Sequence, residues 1–154
     1  MLMIEVNDLK QLYDVDDDQW LEQTINLLKN HQFQQLDLDN LIEELEDLGR
    51  EKKNAVASLL EQIIRHLLLL QYWTTEAEYN TVHWQEEIYN FRTQLRRTIT
   101  TNLRKYLEAE LTSIYQDALG FVKIKTTNSV TFPTKCPYSL EQLLDRSWLP
   151  NQTH

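Results

Sequence analysis

One stretch of the sequence decides the fold: residues 37–73, DLDNLIEELEDLGREKKNAVASLLEQIIRHLLLLQYW. Side chains at every third or fourth position lie on one face of an α-helix, and the apolar residues here follow that spacing. The stripe runs through Leu41, Leu45, Leu48, Lys52, Val56, Leu59, Ile63, His66 and Leu70. Such a helix is roughly 50 Å long, which exceeds the width of a compact domain of this size. We therefore expect a bend, a close helix crossing or an interruption at Gly49.

Further helices are predicted on both sides of this stretch. Three aspartates, Asp16–Asp18, precede apolar residues at helical spacing and predict a helix over about residues 17–30. After a polar connection over 74–81, a third helix starts at Val82 and breaks near Thr100. A fourth helix, capped by Asn102, is expected to reach about Val122.

The C-terminal part predicts little regular structure. Residues 123–130 are polar and β-branched, which favours an extended link or a minor strand. Ser139 and Gln142 form a capping-box pattern for a last short helix, which Pro150 bounds. The predicted fold is all-α: a compact bundle of about four main helices plus a short C-terminal helix, in a single domain spanning residues 1–154.

Composition agrees with long helices and few loops. The 154 residues include only two glycines and three prolines, so turn-forming residues for a many-stranded sheet are scarce. The single cysteine, Cys136, excludes an internal disulfide framework and suits a reducing compartment, from which we predict a cytoplasmic protein. The sequence shows neither an export signal nor an apolar run of membrane-spanning length.

Negative charge is concentrated at the N-terminal end. Residues 1–50 hold 13 acids and 3 bases, a net charge of −10, whereas the whole chain carries −9. Because nucleic-acid binding normally depends on clustered Lys and Arg, nucleic acid is not expected as a partner. A membrane is not expected either, because the sequence has no apolar run of spanning length. The one basic cluster, expected to face the acidic segment or water, comprises Arg92, Arg96, Arg97, Arg104 and Lys105.

Two segments together resemble a known family. They are NLIEELEDLGR at residues 40–50 and FPTKCPYSLEQLLD at residues 132–145. Tyr13 and Trp20 precede the two segments and Trp84 lies between them. Together these residues resemble domain of unknown function family 29, an uncharacterised family common in cyanobacteria. The resemblance implies a compact all-helical fold and supplies no activity, substrate or cofactor. After His66 the chain lacks the basic residue, proline and R-S-x-S-W run that members often show, so no role resting on basic charge is expected there.

His66 and the acids of the long helix are the first candidates for chemistry. Helical bundles bind metal pairs through Glu-x-x-His, but Ile63 stands three residues before His66 and cannot ligate. A buried, hydrogen-bonded structural histidine is therefore favoured over a ligand. Glu43 and Glu46 share a helix face and could contribute to a cation site, although a solvated face is the simpler interpretation.

The remaining candidates lie further along the chain. His83 is four residues before Glu87, a spacing that could orient a general base, and Cys136 is interpreted as a packed small side chain rather than a nucleophile. No catalytic residue, no metal and no cofactor is predicted. The candidate binding residues are Glu43, Glu46, His66, His83, Trp84 and Tyr138.

Two functions remain open at this point. The first is a non-enzymatic cytoplasmic helical module that binds another protein through an acidic or aromatic surface. The second is a metal- or small-molecule-binding bundle, or an enzyme, built from Glu43, Glu46, His66 and His83. A homo-oligomer is compatible with residues 67–72, which are apolar nearly all round the helix.

Overall fold

The computed structural model describes residues 5–151, and this part of the chain is all-α, as predicted. No β-strand occurs within the described range. In order, the elements are α1 Val6–Val15, α2 Asp17–Lys29, a 3-10 turn at Phe33–Gln35, α3 Leu38–Tyr72, α4 Thr74–Thr98, α5 Thr101–Lys125 and α6 Leu140–Leu144. The five long helices are one more than expected, because α1 was not predicted. The described residues form two compact units, divided between Glu51 and Lys52.

The first unit contains α1, α2 and the beginning of α3. Asp16 caps α2, as predicted, by accepting a hydrogen bond from the Gln19 backbone N–H at 3.1 Å. In the same unit, the Trp20 indole N–H donates to the fully buried Asp37 carboxylate at 3.2 Å. Buried apolar side chains complete this small core: Leu9, Trp20, Leu27 and Leu36.

Helix α3 is continuous over 35 residues, so the predicted interruption at Gly49 is wrong. A Cβ added at Gly49 would meet no atom within 4 Å, which also excludes a close helix crossing there. The helix continues because its neighbours are good helix formers and a single glycine costs only about 1 kcal/mol. From Val56 onward the predicted stripe is buried at Val56, Ile63 and Leu70 and half-buried at Leu59 and His66, whereas Leu45 and Leu48 are exposed.

The second unit contains the rest of α3 with α4, α5 and α6. Residues 74–81 do not form the predicted connection, because α4 starts at Thr74 and Trp73 alone separates it from α3. The buried side chains Ala77 and Trp84 are seven residues apart on one helix face, and their packing outweighs the poor helix propensity of the threonines.

Helix α5 differs from its prediction at both ends. The predicted break near Thr100 is present, but Thr100 rather than Asn102 is the cap, accepting from the Leu103 N–H at 3.2 Å. At the other end the helix runs to Lys125, so residues 123–130 contain no minor strand. Val122 and Thr126 are both buried and four residues apart, which extends the packed face past the β-branched residues.

The C-terminal segment is attached to α4 by a buried arginine. Ser139 and Gln142 form the predicted capping box of α6. Arg92 is 4% exposed, and its guanidinium donates to the carbonyls of Leu143, Trp148 and Gln142 at 2.9, 2.7 and 3.1 Å. The expectation that Arg92 faces water or the acidic segment is therefore wrong, since three carbonyl acceptors supply its partners inside the second unit. None of the helices described here combines the length and apolar character that crossing a bilayer requires.

Candidate functional site

The first half of α3 carries acidic side chains, three of which have partners within the first unit. Asp39 lies 3.7 Å from the Lys10 ammonium, and Asp47 pairs with Arg50. Glu44 accepts a hydrogen bond from the Tyr13 hydroxyl at 2.6 Å, and this bond is the main reason that the pKa of Tyr13 rises to about 12. Glu43 and Glu46, two predicted binding residues, are exposed and make no ion pair within residues 5–151.

Exposed aliphatic side chains precede these two acids along the helix. Leu38, Ile42 and Leu45 precede Asp39, Glu43 and Glu46 by one residue each and follow the i, i+4, i+7 spacing of one helix face. They are 54%, 52% and 59% exposed. We call them the α3 aliphatic row. A second row of exposed aliphatic side chains at the same spacing lies on α2: Leu21, Ile25 and Leu28.

In the second unit the structure brings three predicted residues to one cavity. His66 on α3 and His83 and Trp84 on α4 line a cavity of about 420 Å³, and Phe121 and Lys125 of α5 line it as well. Its apolar lining includes Trp73 and Trp84, whose rings stack with centroids 6.2 Å apart and planes 18° apart. Most of the other lining residues are polar or charged: Gln62, Arg65, His66, Glu76, Asn80, His83 and Lys125.

His66 is held as a neutral imidazole. Its Nδ1 lies 2.7 Å from the Gln62 carbonyl oxygen, and because a carbonyl can only accept, Nδ1 carries the proton. Burial lowers the pKa of His66 below its ordinary value of 6.5, and this effect outweighs the opposing hydrogen bond to Gln62 and the nearby Glu87 carboxylate. The Nε2 atom is then an unprotonated acceptor. The predicted hydrogen bond of His66 is present, but the side chain is half-buried at the cavity rather than buried as predicted.

Arg65, which also lines the cavity, was not predicted. Its Nη2 atom lies 2.6 Å from the Glu61 carboxylate, and its guanidinium carbon lies 3.8 Å from the centre of the Phe121 ring. The Nε–H group is buried and has no hydrogen-bond partner among the described residues. Leaving such a donor unpaired costs about 1–3 kcal/mol. The sequence signal was a cation directly before His66 within an apolar run.

The other predicted residues lie elsewhere. Glu43 and Glu46 belong to the first unit. Tyr138 is 4% exposed in the core of the second unit, where its hydroxyl donates to the Gln71 side-chain oxygen at 2.8 Å. Burial raises the pKa of the Cys136 thiol, which disfavours the reactive thiolate. Over residues 5–151, no group of three or more His, Cys, Asp or Glu side chains is placed to hold a metal ion.

Comparison with known proteins identifies the family. Neither the search of curated proteins nor the search of solved structures found a match for the chain. A family model described as "Domain of unknown function DUF29" matches residues 12–149, which is nearly the whole chain. The protein therefore belongs to the DUF29 family.

Proposed function

We propose that the protein is a non-enzymatic, cytoplasmic binding module whose first unit docks a basic amphipathic helix of another protein. The observation that carries the proposal is the α3 aliphatic row, which alternates along the helix with the Glu43 and Glu46 carboxylates; neither carboxylate makes an ion pair within residues 5–151. Amphipathic helices are commonly recognised through apolar side chains at i, i+4 and i+7. A partner helix that carries lysine or arginine next to its apolar side chains can contact both the α3 aliphatic row and the Glu43 and Glu46 carboxylates.

Charge argues for a basic partner rather than a second copy of the chain. Residues 1–50 carry a net charge of −10, so two such surfaces repel each other when they approach. A basic helix is attracted instead, and complementary charge mainly accelerates association and selects the partner. Burial of the aliphatic side chains supplies the affinity, at about 1.5–3 kcal/mol for each side chain that is fully covered.

A pair of synthetic helical peptides tests this proposal by fluorescence polarisation. Both peptides carry leucine at i, i+4 and i+7, with lysine beside the leucines in one and glutamate in the other. The basic peptide is expected to bind, with an affinity that falls as salt is added, because salt screens exposed charges. Equal binding of the acidic peptide would contradict the proposal.

Variants then locate the surface. The double substitution Ile42→Gln and Leu45→Gln is expected to lower the affinity for the basic peptide at least tenfold. A tenfold change corresponds to about 1.4 kcal/mol, which is less than the burial of one aliphatic side chain contributes. The double substitution Glu43→Gln and Glu46→Gln is expected to make the affinity for the basic peptide depend less on salt. Val82→Gln is the matched control, because Val82 is 69% exposed on α4 in the second unit. A dimer in sedimentation that the Ile42 and Leu45 substitutions dissociate would show that a second copy occupies the row, against this proposal.

A further inference from the structure

The outward side of α4 carries a surface that is separate from the α3 aliphatic row and from the cavity at His66. We propose that this surface pairs with the α4 helix of a second copy of the chain, running antiparallel, to form a two-fold symmetric dimer. The inference does not rest on the docking of a basic helix, because α4 belongs entirely to the second unit.

A depression in the surface of α4 indicates that the partner is a helix. It has a volume of about 390 Å³, and its lining residues all come from this helix: Val82, Gln85, Glu86, Tyr89 and Asn90. The first four stand at i, i+3, i+4 and i+7, the set of neighbours that surrounds one hole on a helix surface. In paired helices such a hole receives one side chain of the facing helix. We call this depression the α4 hole.

Charges on either side of the α4 hole favour an antiparallel second copy. Glu78 lies four residues before Val82, and Arg96 lies seven residues after Tyr89. Both charges therefore lie on the side of α4 that carries the hole. Both are exposed, and neither makes an ion pair within residues 5–151. In an antiparallel pair Glu78 of each copy faces Arg96 of the other, whereas parallel pairing places like charges together.

The same register places a side chain in each α4 hole. When Glu78 faces Arg96, the two-fold axis passes near Glu87, which is midway between them. Tyr89 lies two residues after this point and Gln85 two residues before it, so Tyr89 of each copy faces the hole of the other. Tyrosine suits this position, because its ring covers apolar surface while the hydroxyl stays in water. One surface is then complementary to itself, as a two-fold dimer requires.

The net charge of the chain around α4 permits self-association. Residues 51–154 hold 11 acids and 12 bases, whereas the charge of −10 is confined to residues 1–50. Two α4 surfaces therefore do not repel each other through a large net charge. A single pair of helices gives a small interface, and contacts of that size are weak. We expect a dimer Kd of about 10–100 µM.

Sedimentation equilibrium of the full chain in about 0.15 M salt, at about 10–500 µM protein, tests the dimer. Tyr89→Ala is expected to raise the dimer Kd at least tenfold, because it removes the side chain that fills both holes, while a thermal melt checks that the variant is folded. Tyr79→Ala is the matched control, an exposed tyrosine of α4 that does not line the α4 hole. A monomer throughout this range leaves the hole to a helix of another protein and overturns the proposal. A dimer that Tyr89→Ala leaves intact, or that Tyr79→Ala weakens equally, also overturns it.

Charge reversal tests the antiparallel register. Glu78→Arg and Arg96→Glu are each expected to raise the dimer Kd at least fivefold, because by symmetry each creates two repulsive pairs. An equimolar mixture of the two variants is expected to recover the Kd of the unmodified chain, since every arginine then faces a glutamate. Lys105→Glu is the matched control, the same change of charge at an exposed position on α5. A mixture that stays monomeric, or an equal loss in Lys105→Glu, overturns the proposal.

The docking surface of the first unit is tested separately in the same measurement. Ile42→Gln with Leu45→Gln is expected to leave the dimer Kd unchanged, because both residues belong to the first unit. Loss of the dimer in this variant would place the second copy on the α3 aliphatic row and overturn the pairing through α4. Loss of peptide binding with an intact dimer affects the proposed docking surface alone.

Discussion

His66 makes the stability of the protein depend on pH. Burial lowers its pKa in the folded protein, so the unfolded chain takes up a proton at His66 more readily than the folded chain does. The neutral form therefore contributes its full stability above pH 6.5, and this contribution is lost as the pH falls from there through the folded-state pKa. Nearby Glu87 favours the charged form, whereas His83 and Lys125 oppose it.

We accordingly expect the thermal midpoint to fall as the pH is lowered from about 7.5 to about 5, and to fall less steeply in His66→Gln. Differential scanning fluorimetry across this range measures both slopes. His31→Gln, in the first unit, is the control and is expected to keep the slope of the unmodified protein. The same slope in His66→Gln and the unmodified protein would show that other groups cause the effect.

Individual site residues could be recognised from the sequence only in part. His66, His83 and Trp84 stand out as scarce residue types in helical segments, and the structure places them at one cavity. Arg65 was missed because its role comes from Glu61 one turn earlier and from Phe121 on another helix. Arg92 was assigned to a surface cluster from its spacing along one helix. Its guanidinium binds carbonyls more than fifty residues away in the chain, and helical spacing cannot reveal contacts at that distance.

Among the helices, those with a clear apolar period and a capping residue were predictable. Helix α2 and α6 start at the expected caps, and α3 has nearly the expected length. Helix α1 was missed although Val6, Leu9 and Leu12 have helical spacing, because its first turn lacks a side-chain cap. The start of α4 was missed because packing of Ala77 outweighed local propensity, and propensity is only a weak guide where tertiary contacts form.

Gly49 gives a direct test of how α3 is stabilised. A methyl group at this position meets no atom within 4 Å, so Gly49→Ala is expected to stabilise the protein by about 0.5–1 kcal/mol, through the better helix propensity of alanine. Urea unfolding followed by circular dichroism measures the change. Gly120→Ala in α5 is a matched case with equally open space and the same expected gain. A loss of stability at Gly49 alone would indicate a packing or bending role for this glycine.

The distribution of buried side chains over the chain predicts unequal stability of the two units. In the described residues, the first unit buries a cluster of four apolar side chains, whereas the second buries a much larger set from Val56 to Leu143. The first unit also leaves its aliphatic rows on α2 and α3 exposed. Small domains bury a low fraction of their surface and are only marginally stable, so the first unit should open more readily than the second.

Hydrogen exchange followed by mass spectrometry measures this difference in the intact protein. Backbone amides in helices α1 and α2 are expected to exchange at least tenfold faster than those of residues 56–70, which corresponds to about 1.4 kcal/mol in opening free energy. Trp20 is the one tryptophan of the first unit, so Trp20→Phe should remove an early fluorescence transition in urea and leave the later one. Equal exchange and a single coincident transition would instead show that residues 1–154 unfold as one cooperative domain, the organisation that the sequence predicts.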